Sequence, residues 1–199
     1  MPTDNKAIFA ALSFEDQTFQ EITLSDQDLS KKEFADCIFK NCNFDGGCFI
    51  GTSFIDCAFI NCVLSNIKLD NCGFQNTRFE GCKLIGLIFS AVNPSLLSWD
   101  FKKCRIELCN FSGLKIKQTR FTDCSIRGTD FINIDLLGSD FSGSDLKDSR
   151  FRNANLEKAN FTGAFNYYID PTNNRLKRAR FSAAEVLALL MGFGIKIES

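Results

Sequence analysis

From Phe9 to Phe89 every fifth residue is Phe or Leu, 17 positions without exception, and from Phe101 to Phe161 every fifth is Phe, Ile or Leu, 13 more. These 30 positions hold 19 of the 22 phenylalanines. A period of five is neither the 3.6 of a helix nor the 2.0 of a strand. It fits a chain that turns a corner once per repeat and points the central side chain inward each time. The residue two before each centre is typically small, as at Cys37, Thr52, Cys62, Thr119, Ser144 and Ala159, and should share the interior. The other three are largely polar and should face water. The pattern therefore predicts an all-β coil with a core ladder that includes Phe34, Phe39, Phe54, Phe59, Phe74, Phe79, Phe121, Phe131, Phe141 and Phe151. A step of 20 would stack Phe14, Phe34, Phe54 and Phe74, but the Phe/aliphatic alternation of the second half fits a step of ten equally well.

The period slips once. Phe89 and Phe101 are 12 residues apart, two repeats plus two residues, across "SAVNPSLLSWD". Pro94 cannot donate to a strand ladder and marks an edge or bulge. Two readings stand side by side for residues 90–100. Either Trp99 and Leu96 repack the core around a tolerated bulge, or Asn93, Pro94, Leu96, Leu97 and Trp99 form a projecting recognition loop. After Phe161 the period stops, which divides the chain into a coil over 1–163 and a C-terminal segment over 164–199. That segment carries the basic run Arg175, Lys177, Arg178 and Arg180. Ser182 with Glu185 reads as a capping box opening an α-helix over about 182–191. One side of this helix should cap the last coil. Val186, Leu187, Leu190 and Phe193 should then offer a two-fold contact, with Ile195 and Ile197 adding apolar surface.

Composition narrows the chemistry. Nine of the ten cysteines, all but Cys48, fall in the small inward slot. Buried cysteine is a compact hydrophobe, and close C-x₂-C pairs for zinc are missing, so the cysteines are expected to be packing residues and no metal or cofactor is expected. Histidine is absent, which removes the commonest general base and nucleophile partner. We expect no enzyme and no small-molecule substrate. The start "MPTDNKAIF" lacks a basic region followed by an apolar run, and no stretch is long enough to span a bilayer, so a cytoplasmic protein without a membrane partner is expected.

The net charge of −1 hides an asymmetry: residues 1–100 carry 13 acidic and 7 basic side chains, a net of −6, leaving 11 and 16, a net of +5, for the rest. Under a 20-residue step Asp140 would lie beside Arg120, Asp130 beside Arg150 and Asp135 beside Lys115, an ordinary dressing of a sheet surface. Asp16, Asp36 and Asp56 would instead stack on one another with no basic neighbour. They either cap corners through local backbone N–H groups or form an acidic stripe for a basic partner.

"CNF", "TDF", "SDF", "SDL", "ANL" and "ANF" resemble the motif of the pentapeptide-repeat family over roughly residues 9–161. The resemblance implies a right-handed quadrilateral β-helix with four repeats per coil. Thirty repeats would then give a rod of about 36 Å at strand spacing. "IDP", "KRARFS", an apolar helix and an Ile-rich tail resemble the C-terminal region of a bacterial subgroup that protects type II topoisomerases: the quinolone-resistance, microcin-immunity and albicidin-resistance proteins. This implies a homodimer joined tail to tail, a rod that mimics duplex DNA on DNA gyrase, with topoisomerase IV as a second candidate target, and protection from a topoisomerase poison. Direct nucleic-acid binding is not expected. Duplex DNA carries about one charge per 1.7 Å, or roughly −12 over the length of the first 100 residues. Half that charge is present, so only a locally acidic face is supported. The alternative is a scaffolding repeat protein with an unrelated partner.

Overall fold

The structure is a computed structural model that describes residues 9–95 and 97–193. Leu96, Ile195, Ile197 and the N-terminal residues 1–8, in which no signal peptide was expected, lie outside them. The chain winds into a parallel β-solenoid of about 8 turns. Its strands are mostly three residues long, such as Ser13–Glu15 and Thr18–Gln20, because each straight run ends at the next corner. Pairing settles the step at 20: Phe14↔Phe34↔Phe54↔Phe74 on one face and Phe19↔Phe39↔Phe59↔Phe79 on the next, all parallel. Four columns of centres therefore run the length of the rod.

The corner has a specific cause. Two residues after nearly every centre the backbone enters the left-handed region, for example at Asp16 (φ 53°), Asn41 (52°), Asn61 (53°) and Gly81 (65°). Among the described residues 21 non-glycines do so, and 14 of these are Asn or Asp, the side chains that tolerate this conformation best. At Gly81 a Cβ would meet the Asn61 Oδ1 at 2.3 Å, so a side chain there requires the Asn61 amide to turn aside. Ahead of several centres, Asp or Asn makes a second local bond. The side chains of Asp28, Asn43, Asn110, Asp140 and Asn160 accept the N–H two residues on, at 2.8–3.2 Å.

The core is a set of stacked rings. Phe101, Phe121, Phe141, Phe161 and Phe181 lie 5.0–5.1 Å apart, centroid to centroid, and within 7° of parallel. That is the strand spacing imposed on side chains. Rings on adjacent faces meet edge to face, as Phe111 and Phe121 do at 90°. All ten phenylalanines of the expected ladder are buried.

The small slot selects for more than size. Its side chains donate to the carbonyl of a centre on the previous coil: Cys57 to Phe34 (3.4 Å), Thr52 to Leu29 (2.6 Å), Ser144 to Phe121 (2.6 Å). Burial pushes the Cys57 and Cys109 thiols up to about 12. Cys42, Cys82 and Cys124 are also raised, first by the hydrogen bond with a neighbouring thiol and then by burial. Nine cysteines are buried and Cys48 is half-buried, so labelling of the native protein with a thiol reagent should modify one thiol quickly and all ten after unfolding. Fast native labelling of several would contradict this packing.

Two expectations are corrected at the C-terminal end. The solenoid does not stop at 163: Asn155 pairs with Arg175, Asn160 with Arg180, and Phe181 stacks on Phe161. Tyr167 and Ile169 fill the core where the period lapses, and Asn174 occupies a small slot, donating to the carbonyls of Phe151 and Asp170. The expected α-helix over 182–191 is instead a 3₁₀ helix over Val186–Phe193. The Ser182 hydroxyl accepts the Gly163 N–H at 2.7 Å, so it serves the coil rather than capping a helix.

Candidate partner-binding surface

Asp16, Asp36 and Asp56 are exposed and form one column along the corner between the Phe14 and Phe19 faces. Each sits at a left-handed corner (φ 53°, 53° and 54°) and donates its N–H to the next coil, to Ala35, Ile55 and Gln75. Among the described residues no backbone N–H reaches the carboxylates of Asp16, Asp36 or Asp56. The local capping expected of them belongs to the Asp and Asn residues that precede the centres. The geometry thus leaves the carboxylates directed at solvent about one strand spacing apart, roughly 4.8 Å, and only Asp56 takes a neighbour, the amide of Asn76. Glu15 and Glu33 stand on the same flank. Further along, the Phe14 face reverses sign with Lys115, Lys117, Lys158, Arg175, Lys177 and Arg178.

In the second half the step of 20 places Arg120 beside Asp140, Arg150 beside Asp130 and Lys115 beside Asp135, as expected, but the ion pairs follow this placement only in part. Arg150 binds Asp130 as the step of 20 requires. Arg120 turns to Asp100 on the preceding coil instead of Asp140, and Asp135 pairs with Lys117, at 3.4 Å, instead of Lys115. Asp145 is the buried acid of the group. Burial acts to raise its pKa, but bonds from Asn166 (2.8 Å) and Arg127 (2.9 Å) outweigh this and hold it below the usual carboxylate range.

Among the described residues of 90–100, Leu97 and Trp99 rejoin the ladder across a register shift, and Trp99 does not project. Phe79 pairs with Phe101, a step of 22, and the register shifts between Leu97 and Trp99. Trp99 takes the slot of Thr77 on the coil before and packs among Phe74, Phe89, Phe101 and Phe111. Leu97 is half-buried against the core, Asn93 is half-buried with its N–H on the Cys72 carbonyl, and Pro94 is exposed. The dislocation opens a groove of about 1130 Å³ along the same corner as the acidic column, lined among others by Asp56, Asn76, Arg78, Trp99, Lys115 and Gln118. Sequence reading missed this groove; the lone Trp in a slot reserved for small residues was its signal.

At the other end, Val186 (37% exposed), Leu187 (48%), Leu190 (37%) and Phe193 (54%) expose apolar surface, as do Met191, Tyr168 and Phe165. Ala188 and Leu189 pack inward. Among the described residues no His, Cys, Asp and Glu cluster could hold a metal, and no helix is long and apolar enough to cross a membrane.

The pentapeptide repeat region model matches residues 32–95 and 89–161. No curated protein sequence matches this chain. Among solved structures, a trypsin-treated form of QnrB1, a plasmid-mediated fluoroquinolone resistance protein, aligns with a TM-score of 0.61 at 18% identity, covering 94% of this chain and 100% of that one. A second trypsin-treated form gives 0.53 at 17% identity, covering 94% and 92%. HetL, a pentapeptide repeat protein involved in heterocyst differentiation regulation from the cyanobacterium Nostoc sp. strain PCC 7120, gives 0.45 at 18% identity, covering 88% and 76%. The stacked coils, the small slot and the family model lead to one assignment: this chain belongs to the pentapeptide-repeat family.

Proposed function

We propose that this chain is a non-catalytic cytoplasmic binding protein that engages DNA gyrase and protects it from a topoisomerase poison, as an antibiotic-resistance or self-immunity factor. The observation that carries this reading is the column of Asp16, Asp36 and Asp56: exposed carboxylates at regular spacing, none of them in an ion pair among the described residues. The left-handed corner favours Asn or Asp, but like charges at this spacing are mildly destabilising, so the corner does not account for Asp in preference to neutral Asn, and a basic surface on a partner does. The likeness to a fluoroquinolone resistance protein supports the choice of partner, with topoisomerase IV as a second target of the same kind. The apolar surface of Val186, Leu187, Leu190 and Phe193 supports a tail-to-tail homodimer. With net −6 on the first hundred residues and +5 on the rest, the mimicry of DNA is confined to one acidic corner of the rod.

The test is gyrase supercoiling with and without a quinolone or a peptide poison. Added protein should restore supercoiled product in the presence of at least one poison. Absence of both rescue and detectable binding to gyrase would remove the proposal.

A further inference from the structure

We infer that one corner of the rod is a contact surface for a second, antiparallel copy of this chain. This rests on the order of charges along the rod and not on the gyrase reading. The strand ladder that begins at Thr18 runs through Arg78, Asp100 and Asp140 to Arg180. The residues two before these partners therefore line a single corner. It opens on the exposed carboxylates of Asp16, Asp36 and Asp56. Asn76, Ser98, Gln118 and Gly138 follow without charge, and the corner ends on exposed Lys158 and Arg178. Glu15 flanks the acidic end, and Lys177 and Arg180 flank the basic end. None of these charged side chains is in an ion pair among the described residues, whereas Arg120, Arg150 and Arg175 are held by Asp100, Asp130 and Glu157. The backbone does not require either charged end: uncharged residues serve the same left-handed corner at Asn76 and Gly138, and stacked like charges are mildly destabilising.

The order of the charges selects the partner. A nucleic acid laid along the corner would be repelled at the acidic end, and a uniformly basic surface at the other. The partner that fits carries the reverse order. A second copy, turned about a two-fold axis through the middle of the corner, carries it. The outermost position, Asp16, then meets the partner's Arg178, and Asp36 meets the partner's Lys158, twice over by symmetry, with the uncharged stretch at the centre. This pairing covers the carboxylates assigned above to gyrase, so self-association and target binding exclude each other.

Sedimentation of the intact protein with no gyrase present tests the contact separately from the supercoiling assay. The parent should associate at low salt, and raising salt to about 0.5 M should weaken this by about tenfold or more. Asp16→Lys with Asp36→Lys should weaken it at low salt by about tenfold or more, as should Lys158→Asp with Arg178→Asp. Both pairs suit the backbone, since Lys31 and Lys103 already hold left-handed corners and Asp is favoured there, and melting checks the fold. Each variant alone carries one sign at all its contact points, so mixing the two should regain the parent's association. A dimer held only by the apolar tail would ignore all four changes. A parent without salt-sensitive association, indifference to either pair of changes, or no regain on mixing would each overturn the assignment. So would a monomeric parent that binds a duplex oligonucleotide through Lys158 and Arg178.

Discussion

Replacing Phe121 by alanine is expected to lower the unfolding free energy by about 3–5 kcal/mol. The ring is fully buried, stacked on Phe101 and Phe141 at 5.0 Å on either side and edge-on to Phe111 and Phe131. Its removal leaves a cavity that the neighbouring coils cannot close, because backbone ladders fix their separation near the strand spacing. A solenoid holds together through nearest-neighbour contacts, so a gap in the middle weakens both halves at once. Total stability of about 5–15 kcal/mol makes this a large fraction. Phe121→Leu should cost much less, since Ile126 and Leu146 already occupy equivalent centres. Phe9→Ala should also cost less, since Phe9 belongs to the first described coil and lacks a described coil on its outer side. Chemical denaturation of the three variants checks the order, and a Phe121→Ala variant as stable as the parent would contradict a packed ladder.

The architecture was legible because one physical demand recurs thirty times: a large side chain inward at each fifth residue. Fixing the step at 20 needed the pairing of Phe101 with Phe121 and of Phe131 with Phe151, since the alternation at Ile106 and Ile126 is silent between ten and 20. The C-terminal coil was missed for a local reason. Asn166 and Pro171 stand where the fifth residues would fall, and the period returns only at Leu176 and Phe181. Ser182 and Glu185 form a valid helix-start pattern, but the solenoid claimed the Ser182 hydroxyl first, a tertiary contact that a local pattern does not record. At the surface, the column of Asp16, Asp36 and Asp56 followed directly from the step. The partners of Arg120 and Asp135 did not: Arg120 can reach either neighbouring coil, and Lys115 and Lys117 flank the same centre, Ile116, so either can reach Asp135.

Neutralising that column separates folding from recognition. Asp16→Asn, Asp36→Asn and Asp56→Asn together should leave stability unchanged or slightly higher. Asn76 already holds the next left-handed position of this corner, as Asn61, Asn66 and Asn71 hold those of the other corners, and three stacked like charges are removed. If the carboxylates meet a basic surface on gyrase, the same changes should cost about a hundredfold in affinity. Binding by the parent should also weaken steeply with added salt, while what remains in the variant should respond little.

The most direct measurement is therefore the affinity of the parent and the triple Asn variant for purified gyrase, taken at one ionic strength with melting temperatures matched. The account predicts firm binding by the parent and a large loss in a variant that melts no lower. Equal affinity for the two, or a variant that loses binding only because it no longer folds, would contradict it.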